Sequence, residues 1–269
     1  MERAQVVLVT GASSGIGRAC ADLLAHNGFT VYGASRSAKE GTTPGGWTSL
    51  RMDVRDAGSV AEGVARIVAL AGRLDAVVNN AGFGIAGPVE DTTIEEAKDL
   101  FETNFFGALR VCRAVLPLFR AQGHGIIVNV SSIGGRIGLP FQALYSASKF
   151  ALEGLSEALR MEVKPLGIRV VLVEPGDTRT PFTAHRRLTR VTEAYGERFA
   201  RALDRVERDE EGGSHPDAVA KLVLRILRHP NPRPRYTVGE PLQRLAAAAR
   251  GVLPGRLVEW GIMRYYRVH

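Results

Sequence analysis

Cysteine is nearly missing from this 269-residue chain: Cys20 and Cys112 are the only two. Two thiols cannot supply the disulfide framework of a small secreted domain. Both fall within helical patterns, so they are expected as reduced thiols of a cytoplasmic protein. Long apolar runs are missing too, and none approaches the roughly 20 residues that span a bilayer. A strand-like run starts within a few residues of Met1, which leaves no room for a signal peptide. Internal repeats and low-complexity tracts are absent. His26, His124, His185, His215, His229 and His269 have no metal-ligand spacing, and no metal is expected. Acidic residues are scarce in one region only. From Arg228 to Arg267 there are eight arginines against Glu240 and Glu259, a balance of +6 that holds most of the formal charge of +7.

What is present is an ordinary globular composition, 45 % hydrophobic, on a chain long enough to bury one substantial core. Strand-like runs occur at 5–10, 29–34, 48–53, 75–79, 126–131, 169–174 and 236–238. Helical patterns fill most of the gaps, at 16–27, 57–71, 94–122, 145–163 and 216–228. Such alternation predicts a parallel sheet with helices on both faces. Ligands of these sheets sit beyond the carboxyl ends of the strands. Gly11, Arg36, Asp53, Asn80, Ser132 and Pro175 all lie at or just past those ends.

Residues 5–10 (QVVLVT) run straight into Gly11-Ala12-Ser13-Ser14-Gly15-Ile16-Gly17, and helical spacing continues from Arg18. Strand, glycine turn and helix in that order make a phosphate cradle. Glycine allows the tight turn and the close approach of backbone N–H groups, and the helix N-terminus favours a pyrophosphate. A purely structural turn is the alternative, and the flanking strand and helix count against it. Further on, Tyr145 and Lys149 stand four residues apart, on one face of a helix. A tyrosine ordinarily titrates at about 10, and a cation beside it favours the phenolate and lowers that value. With Ser132 thirteen residues before the tyrosine, the set reads as proton-transfer machinery. Taken alone, the pair reads equally as a half-buried tyrosine over a lysine stem.

The glycine spacing is Thr10-Gly11-x-x-x-Gly15-x-Gly17, not G-x-G-x-x-G. Followed in order by Asn79-Asn80-Ala81-Gly82, Asn104, Ser132, Tyr145 with Lys149, and Pro175-Gly176, it resembles the short-chain dehydrogenase/reductase family across residues 5–240. The resemblance implies an α/β fold: a Rossmann-type doubly wound parallel sheet of about seven strands. Residues 1–240 would form the catalytic domain, with a helical lid at 180–215, and residues 241–269 a C-terminal helical extension. It implies an oxidoreductase in which Ser132 holds the substrate oxygen and Tyr145 protonates it. Lys149 would bind the nicotinamide ribose and lower the tyrosine's pKa, and Asn104 with water would return the proton. Ser131 competes with Ser132, and the family's interval to the tyrosine selects Ser132. No Gly-x-Ser-x-Gly elbow surrounds it, so it is not read as a hydrolase nucleophile.

The same resemblance assigns cofactor contacts to Gly11, Ser13, Ser14, Gly15, Ile16 and Gly17, and to Asn80, Ala81 and Gly82. Asp53 with Val54 would meet the adenine, and Pro175, Gly176, Thr178 and Thr180 the nicotinamide, beside Tyr145 and Lys149. NAD-preferring sites place an acidic residue at the end of the second strand. Here Ser35 and Arg36 stand there. A guanidinium binds phosphate bidentately, so NADP(H) is the expected cofactor; the alternative for Arg36 is a solvated surface arginine.

Between 180 and 215 there is no strand signal and one helical pattern at 193–208. Its Tyr195, Phe199, Leu203 and Val206 either cover a hydrophobic substrate or pack on the sheet. Phe83, Leu139, Phe141 and Leu144 are further candidates for the pocket wall. Stretches 80–84, 87–90, 138–141 and 148–154 resemble the hydroxysteroid and retinol dehydrogenase branch, which implies a small hydrophobic carbonyl or alcohol substrate. A 3-oxoacyl-carrier-protein-type reductase and a non-catalytic NADP-sensing protein are the alternatives; the latter would have no need of Ser132, Tyr145 and Lys149. Segments 241–249 and 257–266 mix arginine with apolar residues. An interfacial helix on anionic lipid or a nucleic-acid contact would fit that mixture. A helical extension that closes the pocket or packs on another subunit is the simpler expectation. Nucleic-acid and transmembrane roles are therefore not expected, peripheral membrane contact is not favoured, and a homodimer or homotetramer is the family habit.

Overall fold

The computed structural model describes residues 4–241, 243–245 and 253–269. Its first half contains β1 (Val6–Thr10), α1 (Gly15–His26), β2 (Thr30–Ser35), β3 (Gly41–Thr42), β4 (Thr48–Arg51), α2 (Ala57–Ala71), β5 (Ala76–Asn79), β6 (Ile85–Ala86), α3 (Ile94–Phe101) and α4 (Ala108–Gln122). There follow β7 (Gly125–Val130), α5 (Ala143–Val163), β8 (Ile168–Pro175), β9 (Arg187–Leu188), α6 (Gly196–Glu211), α7 (Pro216–Arg228), β10 (Arg235–Val238) and α8 (Gly255–Tyr266). The main sheet has the order β10-β8-β7-β5-β1-β2-β4-β3. Seven of these strands are parallel, and the two-residue β3 adds an antiparallel edge on β4. Strand order steps outward from β1 in both directions, so a crevice opens beyond the carboxyl ends of β1 and β5.

The apolar run of β1 is continuous because both faces are covered. Val6 and Leu8 join a core with Val111, Val115 and Phe119 of α4. Val7 and Val9 join a second core with Cys20 and Leu24 of α1 and Val223 and Ile226 of α7. Burial pushes the Cys20 and Cys112 thiols up to about 12, which leaves both inert near neutral pH. Polar pins fix α5 against the sheet. Asn79 donates to Asn129 (2.9 Å), Asn129 donates to Ser156 (2.8 Å), and the Ser156 hydroxyl donates back to Leu152 O (2.6 Å). These bonds hold the helix that carries Tyr145 and Lys149.

Three expectations change, and one lies partly outside the described residues. The helix expected over 94–122 is interrupted at Glu102–Gly107 by a π-helical segment. There the Asn104 side chain bonds the backbone of Phe83, and a Cβ on Gly107 would stand 2.8 Å from Val54 Cγ2; tertiary contact overrides periodicity. The third strand ends at Arg51, before the expected Asp53, where the chain turns into the Asp56 cap of α2. Residues 180–215 contain a strand after all: β9 pairs with β6 in a separate two-stranded sheet. Of the expected segment 241–249, residues 242 and 246–249 lie outside the described residues, while 257–266 falls within α8.

Candidate active site

The central strands end around one cavity of about 780 Å³. Gly11, Ser13, Ser14, Gly15 and Ile16 line it at the end of β1. Gly11 and Gly15 have φ values of 69° and 55°, a region glycine enters without strain. A Cβ on Gly17 would stand 2.3 Å from Gly11 O. Gly17 is not on the cavity wall; its role is to let α1 close onto the loop. The N-cap Ser14 side chain bonds nothing in the helix, and the first turn of α1 carries no acidic residue. By contrast α2 is capped by Asp56 and α3 by a Thr93–Glu96 capping box. The first N–H groups of α1 are thus free for an external anion, and the cradle fits a dinucleotide pyrophosphate.

Asn80, Ala81 and Gly82 adjoin this loop. Thr10 Oγ1 accepts from the N–H groups of Asn80 (3.0 Å) and Ala81 (3.1 Å), and Asn80 Nδ2 donates to Thr10 O (3.1 Å). Beside β2, Ser35 and the exposed Arg36 line the cavity. Nearby carboxylates are engaged elsewhere: Glu40 accepts two bonds from Arg66 (2.6 and 2.8 Å), and Asp53 accepts from Arg55 N (2.9 Å). Met52 and Val54 are on the wall and Asp53 is not. Of the expected adenine pair, Val54 is on this cavity, while β4 ends early and turns the Asp53 carboxylate into its own loop.

At the other end, α5 projects Tyr145 and Lys149 from one face. Ser132 caps the 3-10 turn Ile133–Gly135, accepts from Gly134 N (3.0 Å), and is hydrogen-bonded to the Tyr145 hydroxyl. Lys149 Nζ donates to Val130 O (2.9 Å) and lies 5.8 Å from the centre of the Tyr145 ring. Burial pushes Lys149 down to about 8, opposed by the Glu153 carboxylate. Burial pushes Tyr145 up to about 12, and the offset comes from the Ser132 hydrogen bond. The expected lowering by Lys149 is not found: desolvation dominates, and the ammonium is directed at a backbone carbonyl. At neutral pH the phenol is therefore uncharged.

Asn104 is buried behind the wall and Thr103 takes the place on it. Asn104 Oδ1 accepts from Phe83 N (3.0 Å), and its Nδ2 donates to Phe83 O (3.0 Å) and Ser148 Oγ (3.2 Å). The side chain braces the Phe83 segment against α5. Pro175, Gly176, Thr178 and Thr180 follow β8 onto the wall as expected from their positions. Phe83 and Leu139 also line it, joined by Val206 of α6. Phe182, which sequence reasoning missed, packs edge-on against Tyr145 at 5.8 Å between ring centres. Phe141 and Leu144 are elsewhere. Phe141 has a positive φ of 59°, gives its carbonyl to Gly87 N (2.8 Å), and meets the rings of Tyr195 and Phe199. The lid helix thus divides its apolar groups, with Phe199 packing on Phe141 and Val206 facing the cavity.

Three carboxylates on the wall were not legible beforehand: Asp177, Asp209 and Glu210. Glu210 pairs with Arg186 and Thr183, and Asp209 accepts from Tyr265 (2.7 Å) and Arg205 (3.0 Å). Asp177 accepts from Gln243; burial, then Asp209 and Glu210, push it up to about 6. The inner face of α8 closes the cavity with Val258, Ile262, Tyr265 and Tyr266. Only the fold brings lid, loop and tail together, so no sequence spacing carried this signal.

A glycine-loop cradle at one end of a cavity and a serine–tyrosine–lysine set at the other define a dinucleotide-dependent oxidoreductase. The short chain dehydrogenase family profile matches residues 5–190, and the chain belongs to that family. It is 42 % identical over 267 residues to the 3-ketodihydrosphingosine reductase of Bacteroides thetaiotaomicron, covering 98 % of both chains. Human 17-beta-hydroxysteroid dehydrogenase type 1 is 36 % identical over 264 residues, covering 89 % of this chain and 80 % of its own length. A short-chain dehydrogenase from Streptomyces avermitilis superposes with a TM-score of 0.84 at 34 % identity, covering 97 % of each chain.

Proposed function

We propose that this chain uses NADPH to reduce a lipophilic ketone or aldehyde to its alcohol, with Tyr145 as the acid. The observation that carries this reading is a neutral, half-buried Tyr145 bonded to Ser132 beneath an apolar wall. A nicotinamide bound in the cavity supplies the hydride. Ser132 orients the substrate oxygen, and Tyr145 gives its proton as negative charge develops there. Lys149, held by Val130 O, offers its remaining N–H donors to the cofactor ribose. Asn104 acts as a positioning residue through Phe83, and any return of the proton by way of water runs past that brace.

NADPH is favoured by Arg36, a cavity-lining cation at the end of β2 with no carboxylate beside it. A long-chain ketone is favoured by the apolar wall and by the full-length similarity to a 3-ketodihydrosphingosine reductase. Separate fluorescence titrations with NADPH and NADH test the cofactor, with Arg36→Asp expected to reverse a preference for NADPH. Equal binding of both by the parent chain, or an unaltered preference in the variant, overturns the 2′-phosphate role. A homologous series of alkyl ketones tests the substrate class. At about 0.8 kcal/mol per buried methylene, kcat/KM should rise about three- to fourfold per carbon until the wall is filled. A flat series would exclude a lipophilic substrate.

A further inference from the structure

Helix α8 has two different faces. Val258, Ile262, Tyr265 and Tyr266 are half-buried on the cavity side. Tyr265 donates to Asp209 of α6 (2.7 Å) and accepts from Arg205 (2.8 Å). The opposite side carries Arg256, Trp260, Met263, Arg264 and Arg267, all exposed, while Leu257 lies on the cavity rim. Trp260 and Met263 are 60 % and 36 % exposed, and no residue of the helix is fully buried. Arg264 lies 5.9 Å from the Trp260 ring centre. Arg256 and Arg264 have no acidic partner among the described residues, and Glu259 is the single acidic residue of the helix. Twelve residues are too few to hold a helix by propensity alone, and a large aromatic left in water gains nothing there.

We propose that this outer face of α8 docks on an anionic lipid surface, placing the cavity behind it where a lipophilic substrate can pass from the bilayer. Docking stands on the face itself; delivery rests on the proposed lipophilic substrate. Charge selects the occupant. Three arginines interleaved with Trp260 and Met263 suit phosphate headgroups lying above acyl chains. A second copy seated by the same face would set Arg256, Arg264 and Arg267 against their own counterparts, which like-charge repulsion disfavours. No helix among the described residues is long and apolar enough to cross a membrane, so the contact lies in the interface plane.

The test is flotation of the full chain with vesicles of phosphatidylcholine alone or mixed with phosphatidylglycerol. Binding is expected on the anionic vesicles at low salt, and little on the neutral ones. R256Q/R264Q should weaken partitioning about 25-fold, at roughly fivefold per arginine. W260S/M263S should also lose it, together with quenching of Trp260 emission by brominated lipid. Trp47 provides the internal reference, being buried with its Nε1 donating to Asp22 (2.6 Å), and its emission should stay unquenched. NADPH titration of each variant separates loss of docking from loss of fold. Failure to float with anionic vesicles at low salt overturns the proposal, as does flotation indifferent to both variants. So does a dimer in solution that W260S/M263S dissociates while vesicles go unbound, which assigns the face to a second copy. A chain that docks but reduces no lipophilic ketone retains the lipid contact and loses the functional reading.

Discussion

At the scale of single residues, the proposed chemistry rests on a half-buried tyrosine and a buried lysine displaced in opposite directions by the same cause. Desolvation disfavours charge, so it raises the Tyr145 phenol to about 12 and lowers the Lys149 ammonium to about 8. Neutral phenol is what a reductase requires of its proton donor. Tyr145→Phe should reduce kcat roughly 100- to 10,000-fold while the fluorescence titration with NADPH is unchanged; retained turnover would remove Tyr145 as the acid. Lys149 loses its charge as pH rises through about 8, so the pH profile of kcat/KM should fall on its alkaline side near that value. Glu153, one turn along α5, opposes this loss. Glu153→Gln removes the opposing carboxylate, and the alkaline limb should move to lower pH. An unmoved limb would leave Glu153 with a structural role alone.

At the scale of elements, the parallel strands and the glycine loop were legible because their signals are local. β1 needs only an unbroken apolar run, and the loop needs glycines at positions whose φ is positive or whose Cβ would strike Gly11 O or Ala81 Cα. Other features depend on contacts distant in sequence. The π segment at Glu102–Gly107 follows from Asn104 reaching Phe83 and from Gly107 lying against Val54, and a 3.6-residue period does not register either. π-Helical turns often accompany functional sites, and this one places Thr103 on the wall while Asn104 stands behind it. The two-residue strands β6 and β9 are too short for any periodicity. Asp177, Asp209 and Glu210 converge from a loop and a helix that only the fold brings together. Gly17→Ala tests the loop. Its new methyl would meet Gly11 O at 2.3 Å and Asn80 Nδ2 at 2.5 Å, so NADPH affinity and thermal stability should both fall. Unchanged NADPH affinity would mean that the close approach of α1 to the loop does not shape the cradle.

At the scale of the whole molecule, buried charge gathers around Glu174 of β8. Glu174, fully buried in β8, lies 2.9 Å from Arg235 and 3.2 Å from Arg136, and Arg235 also reaches Glu153 (2.9 Å) and Glu157 (2.6 Å). Glu153 is nonetheless raised from 4.5 to about 7, first by burial, with Glu174 adding to it. Asp177 is raised from 3.8 to about 6. Raised carboxylates bind protons in the native state that the unfolded chain has already released. Their contribution to stability is present at low pH and declines as pH rises through about 4 to 7. Lys149 has the opposite sign. The native state gives up at about 8 a proton that the unfolded chain keeps until 10.5, so stability is recovered as pH rises between those values. Buried charge at the site is therefore most costly at pH 7 to 8, the range in which the proposed reduction uses a charged lysine beside a neutral tyrosine. Urea unfolding of the parent chain and of Glu153→Gln at pH 5, 7.5 and 9.5 isolates the term, because contributions from other carboxylates cancel in the difference. The variant should gain stability relative to the parent between pH 5 and 7.5 as Glu153 ionises in the parent, with a smaller further gain by pH 9.5 because the substitution also lowers the Lys149 pKa. A difference constant across all three would mean that Glu153 is charged throughout, held so by Arg235.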